Sequence, residues 1–206
     1  MLDKLIIELD KGLRTLCAPA NSGRAHPDQD VAESDLSSAE KKHALGLMRV
    51  NHCGEVCAQA LYQGQALTAR DASARDALKQ AAQEEVEHLA WTERRIRELG
   101  GRPSLLNPLW YTGSLAMGVA AGVLGDKWNL GFLQETERQV GAHLDGHLRE
   151  LPDGDARSRA IVRQMRDDEL QHAEMAHELG AAELPGPLKA AMKLSAKLMT
   201  SSSYHL

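Results

Sequence analysis

Apolar residues recur every three or four positions along most of the chain, which is the spacing of helices that bury one face. Ser37 followed by Glu40 forms a capping-box pattern and predicts the start of the first long helix. Gly100, Pro152 and Gly180 predict the ends of three later helices. The predicted helices cover residues 2–16, 37–70, 72–99, 127–151 and 155–179, and a last one begins at Pro187. The pattern therefore predicts an all-α protein.

Two segments depart from this pattern. Residues 18–36 are polar and contain two prolines and a glycine, which predicts a linker. Residues 103–125 contain no charged residue, although Pro108 and several glycines interrupt them. This charge-free segment has three interpretations: a buried core helix, a helix on a membrane surface, or a membrane span. The expected organisation is an amino-terminal helix and linker over 1–36, a four-helix bundle over 37–180 with its crossover at 103–125, and a carboxy-terminal helix over 181–206.

Both terminal helices are predicted to be amphipathic, and the last one is also basic. Lys189, Lys193 and Lys197 recur every four residues on an otherwise largely apolar helix. Such a helix is typical of a segment that lies on an anionic membrane, and equally of a solvated helix packed on a bundle. In the crossover, Gly118 and Gly122 predict close contact with a neighbouring helix.

Composition supports helices and narrows the functional class. Aromatic residues make up only 3% of the chain, whereas strands are usually rich in aromatic and β-branched residues. The net charge of −5 argues against a nucleic-acid partner. The three cysteines form no C-x-x-C pair, which favours a reducing compartment, and Cys53 and Cys57 are interpreted as small core residues.

The candidate chemistry lies in a motif that occurs twice. Glu85 to His88 and Glu169 to His172 each read E-x-x-H, which places a carboxylate and an imidazole on one helix face. A solitary glutamate precedes each motif on the previous helix: Glu55 stands 30 residues before Glu85, and Glu137 stands 32 residues before Glu169. One E-x-x-H alone is common on solvated helices, but this paired arrangement is the di-metal carboxylate pattern of ferritin-like bundles.

The donor types indicate which metal this pattern would hold. Carboxylate oxygen and imidazole nitrogen suit iron or manganese, and four carboxylates balance the charge of two divalent ions. The predicted metal ligands are Glu55, Glu85, His88, Glu137, Glu169 and His172. Three further residues are secondary candidates: Tyr62 two turns after Glu55, His52 one turn before it, and His143 on the flank of the Glu137 helix.

At these residues the sequence resembles the demethoxyubiquinone hydroxylase family, the di-iron monooxygenases of ubiquinone biosynthesis. The resemblance covers about residues 37–180 and rests on four segments in the family's order. One difference is Asn51, where the family commonly has aspartate. The segments are RVNHCGE at 49–55 with YQGQ at 62–65, EEVEHL at 84–89, ERQVGAHL at 137–144, and DELQHA at 168–173.

The resemblance implies a ferritin-like four-helix bundle that hydroxylates the ring of a demethoxyubiquinol carrying an isoprenoid tail. It implies two Fe²⁺ ions on the six predicted ligands, with Glu85 and Glu137 shared between the ions. It also implies O₂ as co-substrate and electrons from NADH or the reduced quinone, although no G-x-G-x-x-G motif is present. The expected location is peripheral, on the cytoplasmic side of a bacterial cell membrane, near other ubiquinone-biosynthesis proteins.

Two other functions compete with this one. A soluble ferritin- or rubrerythrin-like protein that oxidises iron or scavenges peroxide would use the same ligands but would not need the apolar crossover. A non-catalytic helical membrane adaptor would need no metal, and the aligned glutamates would then have no explanation.

Overall fold

The computed structural model describes residues 2–206, apart from the side chains of Lys4 and Leu5, and contains seven α-helices within that range. The bounds of the predicted helices agree with the observed ones to within a few residues, so the all-α prediction is confirmed. The helices are α1 (Leu2–Cys17), α2 (Ser38–Thr68), α3 (Ala72–Glu98), α4 (Asn107–Val123), α5 (Asp126–Glu150), α6 (Ala156–Glu178) and α7 (Gly186–Ser203).

Local sequence explains where the long helices begin and end. Ser37 and Glu40 form the predicted capping box at the start of α2. Side-chain oxygens of Asp71 and Asp155 accept the backbone N–H groups of the third residues of α3 and α6, at 2.9 and 3.0 Å. Gly100 and Gly180 follow α3 and α6 with positive φ values of 81° and 87°, a conformation that glycine adopts without strain.

Helices α2, α3, α5 and α6 form a bundle made of two helix pairs, consistent with a ferritin-like fold. Short connections join α2 to α3 and α5 to α6, and each pair packs along its length. Three apolar clusters are buried among the residues that the structure describes, and two of them span both helix pairs. One includes Met48, Trp91 and Met165, and the other includes Leu78 and Leu133.

Helix α4 is the crossover between the two pairs, and it packs along α2. The contact is so close that a Cβ on Gly118 would collide with the Leu61 carbonyl oxygen, and one on Gly122 with the Thr68 hydroxyl, as the predicted glycine pair requires. The opposite face of the segment leaves Leu109 and other apolar residues exposed. The core-helix interpretation therefore holds for the face against α2, whereas the opposite face is exposed. None of the helices in residues 2–206 has both the length and the apolar character needed to cross a bilayer.

The terminal helices lie on the outside of α2. Helix α1 is held there by Gln63, whose amide donates to the backbone and side chain of Glu8 at 2.9 and 2.7 Å. The basic helix α7 packs on α2 and α5, which is one of the two positions that its sequence left open, and Lys189 forms ion pairs with Glu135 and Glu183. Apolar residues of α1 that remain exposed are Leu2, Ile6, Ile7, Leu9 and Leu13.

Candidate metal centre

The six predicted ligands converge inside the bundle, and none of their side chains is more than 4% exposed. Each comes from a different position on the four core helices, with one glutamate on α2, one on α5 and an E-x-x-H pair on each of α3 and α6. The two apolar clusters of the core lie on either side of this position along the helix axes. Water is therefore excluded from both ends of the site.

The six side chains form two overlapping groups, each with ligand atoms within 4.8 Å of one another. The first group is Glu55, Glu85, His88 and Glu169, and the second is Glu85, Glu137, Glu169 and His172. Glu85 and Glu169 belong to both groups, whereas Glu137 belongs to one. The resemblance implied that Glu85 and Glu137 would bridge or alternate between the ions. In this grouping of side chains, Glu85 belongs to both groups as expected, and the second common member is Glu169. The shared carboxylates are the two that begin the E-x-x-H motifs.

His88 is oriented by acids on both sides of its ring. Its Nδ1 atom lies 3.1 Å from Glu85 Oε2 and 3.3 Å from Glu169 Oε1, inside the cluster. Its Nε2 atom lies 3.1 Å from Oδ2 of Asp168, on α6. A carboxylate that accepts the Nε2 proton leaves the Nδ1 lone pair directed at the cluster, which is the tautomer that a metal ligand needs.

His172 has the same arrangement from the opposite helix. Its Nδ1 atom is 3.4 Å from Glu169 Oε2, and its Nε2 atom is 2.9 Å from Oε2 of Glu84, on α3. Glu84 and Asp168 directly precede the two shared glutamates, so each of these outer acids reaches across to the histidine of the other motif. The sequence left open whether Glu84 and Asp168 were solvated or supported the site. The only signal for their role in the sequence was an acidic residue directly before the glutamate of each E-x-x-H motif.

Charge within the cluster is unbalanced without cations. Burial and the neighbouring carboxylates Glu169 and Glu55 raise the pKa of Glu85, and burial and Glu169 raise the pKa of Glu137 to about 8. Burial lowers the pKa of His172, but Glu137 and Glu169 outweigh it and raise this pKa to about 12. Protons therefore occupy the cluster where positive charge is needed.

The donor set fits divalent metal ions. Oε1 of Glu85, both carboxylate oxygens of Glu169 and Nδ1 of His172 are buried and form no hydrogen bond with the residues described here. Buried polar atoms normally have a partner, so these atoms directed at one volume indicate a missing cationic partner. Two such groups sharing two carboxylates can hold two ions side by side.

Tyr62 is the one secondary candidate that touches the cluster. Its side chain is completely buried, and its hydroxyl group donates a hydrogen bond to Glu137. Burial and the nearby charges of Glu137 and Glu85 raise the pKa of Tyr62 well above its usual value. The phenol therefore stays protonated and fixes one oxygen of Glu137.

The other two secondary candidates lie apart from the cluster. His52 is buried on α2, where burial and Arg97 lower its pKa to about 4, and it forms no hydrogen bond or ion pair with the six residues. His143 packs against His147, with ring centroids 4.0 Å apart, in a cavity of about 500 Å³ that Tyr204 also lines. Burial lowers the pKa of both His52 and His143, so both are neutral, and neither contributes a hydrogen bond or ion pair to the cluster.

Comparison with known proteins gives a consistent result over the whole chain. The profile of the family described as ubiquinone biosynthesis protein COQ7 matches residues 42–203. Three similar proteins carry the name 3-demethoxyubiquinol 3-hydroxylase. The one from Chromobacterium violaceum is 91% identical and the one from Laribacter hongkongensis 70% identical, both over 206 residues and 100% of each chain. The one from Dechloromonas aromatica is 66% identical over 202 residues and 98% of each chain.

Proposed function

The chain belongs to the COQ7 family of ubiquinone biosynthesis proteins, and we propose that it is a di-iron monooxygenase that hydroxylates the ring of a demethoxyubiquinol. Hydroxylation in ubiquinone biosynthesis follows from the names of relatives that match the whole chain. The single observation that carries the di-iron part is the buried cluster of four glutamates and two histidines, in which two groups share Glu85 and Glu169. The storage or peroxide-scavenging alternative is not favoured by these relatives.

In this proposal the six clustered residues hold two Fe²⁺ ions. Bound there, the ions supply the redox chemistry that activates O₂ for insertion of one oxygen atom into the quinol ring. Carboxylate and imidazole donors suit iron, and the two groups include no thiolate of the kind that selects iron–sulfur clusters or thiolate-bound zinc. The proposed ligands are Glu55, Glu85, His88, Glu137, Glu169 and His172.

The remaining residues of the site prepare these ligands. Asp168 and Glu84 accept the Nε2 protons of His88 and His172, so both imidazoles keep their Nδ1 lone pairs available. Tyr62 orients Glu137 through its hydroxyl group. The apolar clusters on either side keep bulk water away, which limits side reactions that consume water or its protons.

The electrons come, in this proposal, from NADH or from the reduced quinone itself. A G-x-G-x-x-G motif is absent from the sequence, so a nicotinamide would have to bind in another way. The substrate's isoprenoid tail requires access to lipid. We therefore include docking on a membrane surface, on the cytoplasmic side of the bacterial cell membrane, and proximity to other ubiquinone-biosynthesis proteins.

Exposed apolar side chains on two neighbouring helices support the docking. Helices α1 and α4 both lie against α2 and meet where Gly12 faces the ring of Tyr111. Lys193 and Lys197 on α7 form no ion pair with the described residues and are free to meet anionic lipid, unlike Lys189. The docking face consists of Ile6, Leu9 and Leu13 on α1 with Leu105, Leu109, Met117 and Val123 on or next to α4.

Metal analysis and turnover of the purified full chain test this function. We expect close to two irons per chain and conversion of demethoxyubiquinol to its hydroxylated product, followed by mass spectrometry. A strain lacking this protein should accumulate demethoxyubiquinone. One zinc with no iron would contradict the di-iron assignment, and iron oxidation without quinol hydroxylation would support the storage alternative instead.

A further inference from the structure

The predicted linker between α1 and α2 packs against the helical bundle. Its residues 20–33, called the strap here, cross the outer faces of α3 and α6, the two helices that carry the E-x-x-H motifs. These two helices touch each other much less than the partners within each helix pair do. The strap therefore bridges one of the two sparse contacts between the helix pairs.

The far end of the strap is fixed by ion pairs to both helices. Asp28, which is fully buried, pairs with Arg94 on α3 at 2.7 Å and with Arg157 on α6 at 2.6 Å. Glu33 pairs with Arg95 on α3 at 2.7 Å and with Arg157 at 3.0 Å. This end lies away from the six clustered residues, so it anchors the strap without touching the ligands.

The near end of the strap reaches the support of one ligand. Arg24 donates from both terminal guanidinium nitrogens to the carboxylate of Asp168, at 2.9 and 3.4 Å. Asp168 in turn accepts from Nε2 of His88. The guanidinium group also lies over the ring of Trp91, 4.9 Å from its centre, and Trp91 packs against His88.

Glu87 holds the backbone of the strap at this point. Its carboxylate accepts the backbone N–H groups of Gly23 and Arg24 at 3.0 and 3.3 Å, and it also accepts from the hydroxyl group of Ser22. Glu87 is one residue from His88 on α3, so the same turn of helix carries the ligand and the anchor of the strap. The position of Arg24 is thus fixed relative to His88 by backbone and side-chain contacts.

The acid that supports the second histidine, His172, receives no comparable contact from the described residues of the strap. The side chain of Glu84, which accepts from His172, is 30% exposed, and its one other hydrogen bond among the described residues comes from the amide of Gln80, at 3.2 Å. An exposed ion pair usually contributes little, but the Arg24 pair is two-pronged, stacked and directed at a carboxylate only 6% exposed. The difference between the two halves of the centre is what gives Arg24 a specific role.

We propose that Arg24 is a positioning residue, which acts through Asp168 to hold His88 in the orientation that binds metal. The strap is then part of the active centre, although it contributes no ligand. This inference rests on the proposed function only in assuming that the cluster binds divalent ions. It predicts that loss of Arg24 loosens one half of the centre and leaves the other half intact.

The test uses the full chain labelled with ¹⁵N-histidine and loaded with Zn²⁺, a diamagnetic probe. In the unaltered protein, both ligand histidines should show ring N–H signals protected from exchange with water. In Arg24→Gln the signal of His88 should exchange about tenfold faster, whereas that of His172 should not change. Glu84→Gln should have the opposite selectivity. Arg24→Lys keeps the positive charge but cannot form both hydrogen bonds to Asp168, so the exchange rate at His88 should be intermediate.

Glu33→Gln is the matched control, because it weakens the far anchor of the strap without touching Asp168. It should lower the melting temperature but leave both ring signals protected. Metal affinity should follow, with Arg24→Gln weakening Zn²⁺ binding about tenfold, the lower end of the effect typical for groups that orient a ligand. The kcat for the quinol should fall with less than a twofold change in KM.

The proposal would be overturned if Arg24→Gln accelerated ring N–H exchange equally at both histidines. It would also be overturned if Glu33→Gln accelerated exchange at His88 as much as Arg24→Gln does. In either case the strap would only hold the two helices together. If Arg24→Gln does not fold, Arg24→Lys decides the question at smaller amplitude. A protein that shows the selective effect but does not hydroxylate demethoxyubiquinol would refute the proposed function alone. A chain that binds neither Zn²⁺ nor Fe²⁺ would refute both.

Discussion

At the scale of single residues, the centre is organised by pairs that cross between helices. Asp168 on α6 supports His88 on α3, and Glu84 on α3 supports His172 on α6. Each support is therefore lost if the two helices shift relative to each other. Binding geometry at this centre depends on helix packing as directly as on the ligands themselves.

The clustering of the six predicted residues could be anticipated from sequence, but their supporting acids and their division into two groups could not. The i, i+3 spacing within E-x-x-H puts two donors on one face, and the repeated upstream glutamate identifies the other helices. Which carboxylate lies between the two groups depends on the rotation of four helices about their axes. Periodicity does not fix that rotation closely enough to choose Glu169 over Glu137.

The first prediction separates shared from unshared carboxylates. Glu169→Gln should reduce bound iron from about two ions per chain to nearly none, because both groups include this residue. Glu55→Gln should retain about one ion, because only one group includes Glu55. Both should abolish hydroxylation while far-UV circular dichroism stays unchanged. Iron content by elemental analysis measures the difference.

Glu174→Gln supplies the control for these variants, because Glu174 is an exposed glutamate on the same helix as Glu169. Its iron content and turnover should equal those of the unaltered chain. If Glu55→Gln also lost both ions, the two groups would bind metal only together. The distinction drawn from the geometry would then be wrong.

At the scale of elements, the crossover helix combines two surfaces that hydropathy alone could not separate. The absence of charge allowed a core helix, a surface helix or a span. In the structure, the face with Gly118 and Gly122 fits against α2, and the opposite face exposes Leu109 and Met117. The small-residue spacing predicted the first face, whereas exposure of the second depends on which helices cover α4.

The second prediction concerns this glycine contact. Gly118→Ala should lower the free energy of unfolding by about 1–3 kcal/mol, because the added methyl group meets the backbone of α2 and the helices must separate. Urea denaturation of the metal-free protein measures this change. Activity should also fall, since α2 carries Glu55 and Tyr62.

Gly113→Ala tests whether this effect comes from packing or from helix propensity. Gly113 lies on the same helix, and a Cβ there would meet nothing within 4 Å. Alanine should therefore leave stability unchanged or raise it by up to about 1 kcal/mol. Equal destabilisation by the two substitutions would show that the close contact with α2 is unimportant.

At the scale of the whole molecule, residues distant in sequence join the two helix pairs. Arg95 on α3 is almost fully buried and pairs with Asp155 at the start of α6 as well as with Glu33 of the strap. The sequence predicted a polar linker at 18–36, and its polarity suggested only that it was solvated. Its ion pairs link positions more than 60 residues apart, which local patterns do not reveal.

The last prediction concerns how the whole molecule meets its substrate. The docking face of α1 and α4 exposes large apolar side chains, and covering them with lipid is favourable by about 25 cal/mol per Å². Leu105 and Leu109 are 60% and 64% exposed, so replacing both with glutamate should not disturb the core. Leu106 is less suitable, because it is partly buried at the start of α4. The double variant should lose most of its binding to vesicles of phosphatidylethanolamine and phosphatidylglycerol in a flotation assay.

A second double variant distinguishes the docking face from exposed leucines in general. Leu170 and Leu179 are also exposed, on and just after α6, at 50% and 39%. Replacing both with glutamate adds the same charge but should leave flotation unchanged. Loss of docking should depress turnover of long-tailed quinols more than turnover of tail-free analogues, because only the former must be taken from a bilayer. If the Leu105 and Leu109 variant floats as well as the unaltered protein, α1 and α4 do not form the membrane contact, and their apolar face must meet another protein.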